Sequence, residues 1–150
     1  MNKETFKQLL TTQIPIAWIA GVRLESAAEN EIKTYVELDF LNQNPFKSMF
    51  WAVEGMAAEF AGGMMLLEKI RKSGKNISTL VTKNEAVFTK KAVGKIVFTC
   101  GQGEEIDQAI REAVKTNEGI TIKLTSLGTD EAGEQVAQFD FTWSIKLRNG

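Results

Sequence analysis

The sequence contains no histidine and only one cysteine, Cys100, and these two shortages exclude several kinds of site. Without histidine there can be no Ser-His-Asp triad and no Cys-His nucleophilic pair. A single cysteine cannot form an internal disulfide, and without histidine it leaves no ordinary structural zinc site. General acid–base chemistry near neutral pH then falls to carboxylates, lysine, tyrosine or ordered water. We expect neither a metal nor a cofactor, and we interpret Cys100 as a small core or edge residue.

Excess charge and long apolar runs are also missing. The 18 basic and 19 acidic side chains give a formal net charge of −1, which offers no electrostatic attraction for nucleic acid. No apolar run is long enough to span a membrane, and no signal-type apolar stretch follows the charged start. Together with the single cysteine, these features predict a cytoplasmic protein. A length of 150 residues predicts a single domain, 1–150, with a sizeable core.

Clean periodicity is what the sequence does contain. Apolar and polar residues alternate with a period of two in some segments and with the helical period in others. The predicted elements, in chain order, are a helix over 3–12, strands over 14–24 and 31–40, a helix over 45–72, strands over 76–88 and 92–100, a helix over 104–115, and strands over 120–127 and 134–148. Strict alternation is typical of an antiparallel sheet with one polar face. We therefore predict an α+β fold in which the sheet wraps the long helix.

The long predicted helix carries the candidate functional residue. Its start is predicted at Asn44-Pro45, because Asn is a favoured N-cap and Pro fits the first helical position, and its end near Gly74. Glu59 lies in its apolar middle, with no Lys or Arg three or four residues away. A carboxylate in such a place is costly to bury unless it has partners or a task. On the residues alone, a solvated face that holds both Glu54 and Glu59 is an equally open interpretation.

The same segment resembles the helix start of hot-dog thioesterases of the phenylacetyl-CoA and hydroxybenzoyl-CoA type. Their pattern looks like Asn-x-x-Gly-x-x-His-Gly-Gly, then six residues and an Asp or Glu. Laid on this chain without gaps, the Asn falls on Asn44 and the acid on Glu59. Lys47 stands at the first glycine, and Phe-Trp-Ala at 50–52 replaces His-Gly-Gly.

Two further likenesses extend the resemblance over nearly the whole chain. Residues 88–94 look loosely like the Phe-x-Arg-Pro-Ala-x-x-Gly strand segment of the same group, with Lys-Lys in place of Arg-Pro. The chain is also similar to an uncharacterised hot-dog family with an Asn-x-Asn-Pro helix start, an Ala-Glu in the helix and a terminal Trp-Ser-x-Lys-x-Arg strand. Here these motifs occupy 42–45, 58–59 and 143–148.

The resemblance implies a hot-dog fold, in which a curved six-stranded antiparallel sheet wraps one long central helix. It further implies a homodimer that extends the sheet, or a dimer of such dimers, and the activity of an acyl-CoA thioesterase. Glu59 would act as general base on water, or as nucleophile, in a pocket at the subunit interface. Backbone N–H groups near 47–50 would polarise the thioester carbonyl.

The same resemblance gives a set of expected substrate-binding residues. Asn44 and Ser48 are the nearest hydrogen-bonding side chains, although helix capping for Asn44 and first-turn solvation for Ser48 are the simpler interpretations. Phe50 would narrow the entrance that glycine leaves open. Lys90 and Lys91 would meet the CoA phosphates, or else lie at a solvated strand end.

Other functions stay open at this point. Loss of His-Gly-Gly favours a non-catalytic protein that binds acyl-CoA or an acyl chain in the same groove. A structural or assembly domain without a ligand is a third interpretation, and a helix-grip lipid-transfer fold is a fourth. For an enzyme, the substrate would be an acyl thioester of CoA or of acyl carrier protein.

Overall fold

The computed structural model describes residues 1–149 and contains one six-stranded antiparallel sheet with a long helix packed against it. The elements in chain order are α1 (Lys3–Gln13), α2 (Pro15–Ala20), β1 (Arg23–Ala27), β2 (Ile32–Glu37), α3 (Trp51–Ser73), β3 (Ile77–Phe88), β4 (Lys95–Cys100), α4 (Gly103–Thr116), β5 (Ile120–Thr129) and β6 (Gln135–Leu147). The strand order is β1-β2-β4-β5-β6-β3, so β1 and β3 are the edges of the sheet. The predicted α+β architecture, a curved sheet around a long central helix, is confirmed.

One face of the sheet is buried against α3. Side chains of β2, β4 and β5 alternate between buried and more exposed positions, as a period of two requires. Gly62 lies so close to the sheet that a Cβ on it would meet the Leu124 side chain at 3.1 Å. The small residues of α3 therefore serve the close approach of helix and sheet that the sequence indicates.

Two buried hydroxyls fix the rotation of α3 about its axis. Thr34 of β2 donates a 2.6 Å hydrogen bond to the carbonyl of Ala57. Ser126 of β5 donates an equally short one, 2.6 Å, to the carbonyl of Ala58. Both alanines are fully buried against the sheet. Glu59 lies a further rotation of about 100° round the helix, so its side chain turns away from this contact.

The strand predicted over 14–24 is wrong in its first half. Pro15 occupies the first turn of a short helix, α2, where its missing N–H costs nothing. Gly21 then ends the helix in the left-handed conformation, with φ of 103°. The strand itself, β1, begins only at Arg23.

The long helix begins at Trp51, not at the predicted Asn44-Pro45. The Asn44 side chain does accept nearby backbone hydrogen bonds, from Phe46 at 2.9 Å and Ser48 at 3.2 Å, but within a loop. Lys47 has φ of 59°, which an α-helix cannot include. The predicted end is confirmed, because α3 stops at Ser73 and the following glycine is left-handed. The 23 residues of α3 span about 35 Å.

The other predicted elements are confirmed with ends that differ by at most three residues. The largest differences are that β2 ends at Glu37, before 40, and that β4 begins at Lys95, after 92. No helix within residues 1–149 has the length and apolar character needed to cross a membrane.

Candidate functional site

Glu59 lies in a groove between α3 and the part of the sheet formed by β3 and β6. The groove has a volume of about 210 Å³ and is otherwise lined by apolar side chains, one glycine and one threonine. The residues that line it with Glu59 are Ile14, Phe60, Gly63, Met64, Leu66, Leu67, Ile70, Ile77, Thr79 and Trp143. Glu59 is thus half-buried and is the first residue of α3, in chain order, to reach this groove.

The surroundings of Glu59 favour its neutral form. Burial among apolar side chains raises the pKa of its carboxyl above the usual range, and burial is the only cause of the shift. Within residues 1–149 no opposite charge or hydrogen bond offsets it. A carboxylate with a raised pKa and free oxygens in a groove has the properties that a general base or a nucleophile needs.

Asn44 and Ser48 lie together in the loop between β2 and α3. The Asn44 side-chain amide donates to the Ser48 hydroxyl at 3.0 Å and to the carbonyl of Met49 at 3.3 Å. The Ser48 side chain is buried. Both side chains therefore hold this loop in shape. Lys47, which stands at the glycine of the thioesterase pattern, takes the left-handed conformation that glycine favours.

The backbone N–H groups expected to polarise a carbonyl are already used. Residues 47–50 donate to Asn44, to Ala92 and to the carbonyl of Asn42. This expectation is wrong because the helix starts later than predicted. The first N–H groups of a helix have no intrahelical acceptor, and in α3 these belong to Trp51 and Ala52. The ring of Phe50, just before them, is 45% exposed.

Glu59 and the start of α3 are far apart within one chain. Eight residues separate Trp51 from Glu59, which corresponds to about 12 Å along the helix axis. A reacting carbonyl must lie about 3 Å from its oxyanion donors, with its general base no further away than one intervening water molecule. One carbonyl therefore cannot contact both parts of the same chain.

Lys91 lies beside the loop between β2 and α3, Lys90 lies at the turn between β5 and β6, and neither lines the Glu59 groove. Lys90 is bound by two carboxylates, Asp130 and Glu134, each at 2.7 Å, and these hydrogen bonds raise the pKa of its amine. Lys91 is exposed, with its amine 5.6 Å from the centre of the Phe46 ring. Of these two lysines, Lys91 is the one that offers an uncompensated charge near the loop that precedes α3.

Glu54 is buried, so the solvated face that stayed open as an interpretation for Glu54 and Glu59 is wrong for Glu54. Its side chain is 4% exposed, and its Oε1 has no hydrogen-bond partner within residues 1–149. Burial raises its pKa to about 7. Glu54 precedes Ala57 and Ala58 by three and four residues, so it shares their face of α3. This spacing predicts the burial of Glu54 once the side of the helix that faces the sheet is known.

Two other features lie outside the Glu59 groove. Cys100 is buried in the sheet, where burial raises the pKa of its thiol to about 11, so it is the core residue that the sequence predicts. A larger cavity of about 590 Å³ lies near the end of α3 and is rich in charged residues. Its buried Lys69 is already paired with Asp107 at 2.9 Å and Asn30 at 3.2 Å. Within residues 1–149 no group of three or more acidic or cysteine side chains is placed to hold a metal ion.

The sequence over residues 2–145 matches a family described as a domain of unknown function, DUF4442. The chain belongs to this family. No curated protein has a matching sequence. Among solved structures, it is similar to PA5026 of Pseudomonas aeruginosa, described as "Probable Thioesterase", with 23% identity, a TM-score of 0.86, and coverage of 99% of this chain and 97% of that one.

Two further solved structures share the fold at lower identity. Thioesterase HI1161 of Haemophilus influenzae is 13% identical, with a TM-score of 0.72 and coverage of 98% and 92% of the two chains. The thioesterase SAV0944 of Staphylococcus aureus is 12% identical, with a TM-score of 0.67 and coverage of 88% and 98%. These likenesses confirm the predicted hot-dog fold.

Proposed function

We propose that this DUF4442 protein hydrolyses acyl thioesters, with CoA or acyl carrier protein as the thiol, and that Glu59 is its catalytic carboxylate. The observation that carries the proposal is the half-buried, unpaired Glu59 in an apolar groove of a hot-dog fold. The groove suits an acyl group, and the carboxylate suits the activation of water.

A spacing in one structural relative supports the same residue. Variants of the Staphylococcus aureus protein carry alanine at a glutamine in one structure and at a glutamate fifteen positions later in another. Asn44 and Glu59 are likewise fifteen positions apart, in the same order. This agreement favours the Asn44 loop and Glu59 as two parts of one site.

The reaction follows from these groups. Ionised Glu59 accepts a proton from a water molecule, whose oxygen attacks the thioester carbonyl. The carbonyl oxygen becomes an oxyanion, which free N–H groups at a helix start stabilise. The carbon–sulfur bond then breaks, the proton passes from Glu59 to the leaving thiolate, and the products are a carboxylic acid and a thiol. Direct attack by Glu59, with an anhydride intermediate, is the alternative within the same proposal.

The distance of about 12 Å between Glu59 and the start of α3 calls for a second copy of the chain. Within residues 1–149 the edge strand β3 pairs with β6 alone, and it exposes Leu80, Val87 and Phe88 at 65%, 61% and 47%. A long edge strand with exposed apolar side chains is a template for pairing with another chain. We propose a homodimer in which the two β3 strands pair, so that Glu59 of one copy and the helix start of the other contact the same carbonyl.

The test is hydrolysis of a panel of acyl-CoA substrates with detection of free thiol. Glu59→Gln keeps the size and most hydrogen-bonding capacity of the side chain but cannot accept the proton. We expect it to reduce kcat by about a hundred- to ten-thousand-fold. Glu54→Gln is the matched control, because it makes the same change on the same helix outside the groove. Equal rates for Glu59→Gln and the parent protein would refute the mechanism.

One observation favours a second function, that of a non-catalytic acyl-CoA or acyl-chain binding protein. Residues 50–52 replace His-Gly-Gly, and the exposed Phe50 and Trp51 rings, 5.9 Å apart, stand at the helix start. Binding of acyl-CoA by the parent protein and by Glu59→Gln, with hydrolysis by neither, would establish this function instead.

A further inference from the structure

The Glu59 groove shares a wall with a second groove. The second one has a volume of about 330 Å³ and lies between α1 and the later part of α3. Met1, Leu9 and Gln13 line it on the side of the N-terminal segment, and Leu67, Ile70 and Arg71 line it on the side of α3. Leu67 and Ile70 line both grooves. Leu67 is the less packed of the two, at 48% exposed against 8% for Ile70.

The charged groups that α3 contributes to the two grooves lie at their ends, and Thr5, Gln13 and Thr79 line the grooves from α1 and β3. Glu59 lies at the first end, and Glu68 and Arg71 lie at the far end. Glu68 is compensated there by the N-terminal amine of Met1 at 2.8 Å, which lowers the pKa of Glu68. Between these ends the α3 side of the path is apolar, which suits an unbranched hydrocarbon chain.

The length of the path can be compared with that of an acyl chain. Glu59 and Leu67 are eight residues apart on α3, or about 12 Å, and Glu59 and Arg71 are twelve apart, or about 18 Å. An extended chain advances roughly 1.2 Å per bond, since three backbone bonds span about 3.6 Å. The path from Glu59 to Leu67 therefore matches about ten carbons, and the path from Glu59 to Arg71 matches about fifteen.

We propose that the substrate carries an unbranched aliphatic acyl group and that Leu67 sets its length. This proposal rests on the proposed function, because it assigns the acyl chain of that substrate to the Glu59 groove. Chains of up to about ten carbons end against Leu67. Longer chains reach the second groove, under α1, only where the Leu67 side chain is small or turned aside.

The test compares Leu67→Ala and Leu67→Trp with the parent protein. Leu127→Ala is the matched control, because Leu127 is similarly exposed, at 40%, but lines neither groove. Binding of non-hydrolysable S-alkyl-CoA thioethers of about four to sixteen carbons is measured by calorimetry, beside kcat/KM for the matching acyl-CoA series. Each methylene that is buried contributes about fourfold in affinity.

We expect the parent affinity to rise with chain length to about ten carbons and then level off. Leu67→Ala extends the rise by several carbons, Leu67→Trp ends it earlier, and Leu127→Ala leaves it unchanged. Identical length profiles for the parent protein and both Leu67 variants would overturn the proposal, as would failure of the thioethers to bind. Binding with the expected profiles but without hydrolysis would support the groove and reject only the enzymatic function.

Discussion

Glu54 should make the protein less stable as the pH rises through the neutral range. Its carboxyl is buried without a partner for Oε1, and burial raises its pKa from 4.5 to about 7. Between these two values the folded protein binds more protons than the unfolded chain does, so unfolding releases protons and higher pH favours it. The contribution of Glu54 to the free energy of unfolding is therefore most favourable below pH 4.5. It falls between pH 4.5 and about 7 and stays constant at higher pH.

The size of the effect follows from the pKa difference. A shift of one pH unit corresponds to about 1.4 kcal/mol, so Glu54 lowers the free energy of unfolding by up to about 3 kcal/mol across this window. For a chain of 150 residues this amounts to roughly 6–12 °C in Tm. Glu54→Gln has nearly the same shape and no charge, so it should lose this part of the pH dependence and be the more stable protein at about pH 8.

Urea unfolding of the parent protein and Glu54→Gln at about pH 5 and about pH 8 measures the difference. Protein concentration is held constant, because a dimer's stability depends on it. The carboxyls with lowered pKa, Glu68, Glu85 and Asp130, titrate below this window, and Cys100, at about 11, titrates above it. Glu59→Gln, measured in the same way, shows how much the other, half-buried carboxyl with a raised pKa contributes to the pH dependence of stability. The same loss of stability with pH in the parent protein and in Glu54→Gln would refute the reasoning.

Three other predictions concern packing, assembly and the CoA contact. Gly62→Leu should lower the free energy of unfolding in urea by about 1–3 kcal/mol. The reason is that a Cβ at this position already meets the side chain of a sheet residue at 3.1 Å. Unchanged stability would show that α3 can move off the sheet. The double variant Leu80→Lys, Val87→Lys should have the mass of a single chain by light scattering and should not hydrolyse the substrate, because the added charges make the two β3 edges repel each other. A dimer that persists in this variant would show that the interface lies elsewhere. Lys91→Ala should raise KM for acyl-CoA but not for an acyl-pantetheine, which lacks the nucleotide phosphates. Equal effects on both substrates would show that Lys91 does not contact the phosphates.

The sheet was the most predictable part of the fold. Strict alternation over 120–127 and 134–148 identified β5 and β6, because a strand with one buried face must alternate. The segment 14–24 was misread because its first half is apolar and too short for a helical period to emerge. Pro15 fits both the start of a strand and the first turn of a helix, and only the packing of α2 decides between them.

The start of α3 shows the limit of local signals. Asn44 accepts the backbone hydrogen bonds that an N-cap would accept, yet the chain makes them in a loop. Lys47 takes the left-handed conformation in this turn, and a lysine gives no indication in the sequence that it will do so. Similarly, the apolar neighbours of Glu59 indicated a groove, but the burial of Glu54 depends on which side of α3 meets the sheet. Long-range hydrogen bonds such as that from Ser126 to Ala58 set that side.

The central claim, that Glu59 is the base for thioester hydrolysis, is tested most directly by the pH dependence of kcat/KM for a medium-chain acyl-CoA. The account predicts a rate that rises with pH, because Glu59 must be ionised, and that levels off above its raised pKa. Glu59→Gln should retain only a slow rate without this titration. A parent profile without the titration, or the same profile in Glu59→Gln, would contradict the account.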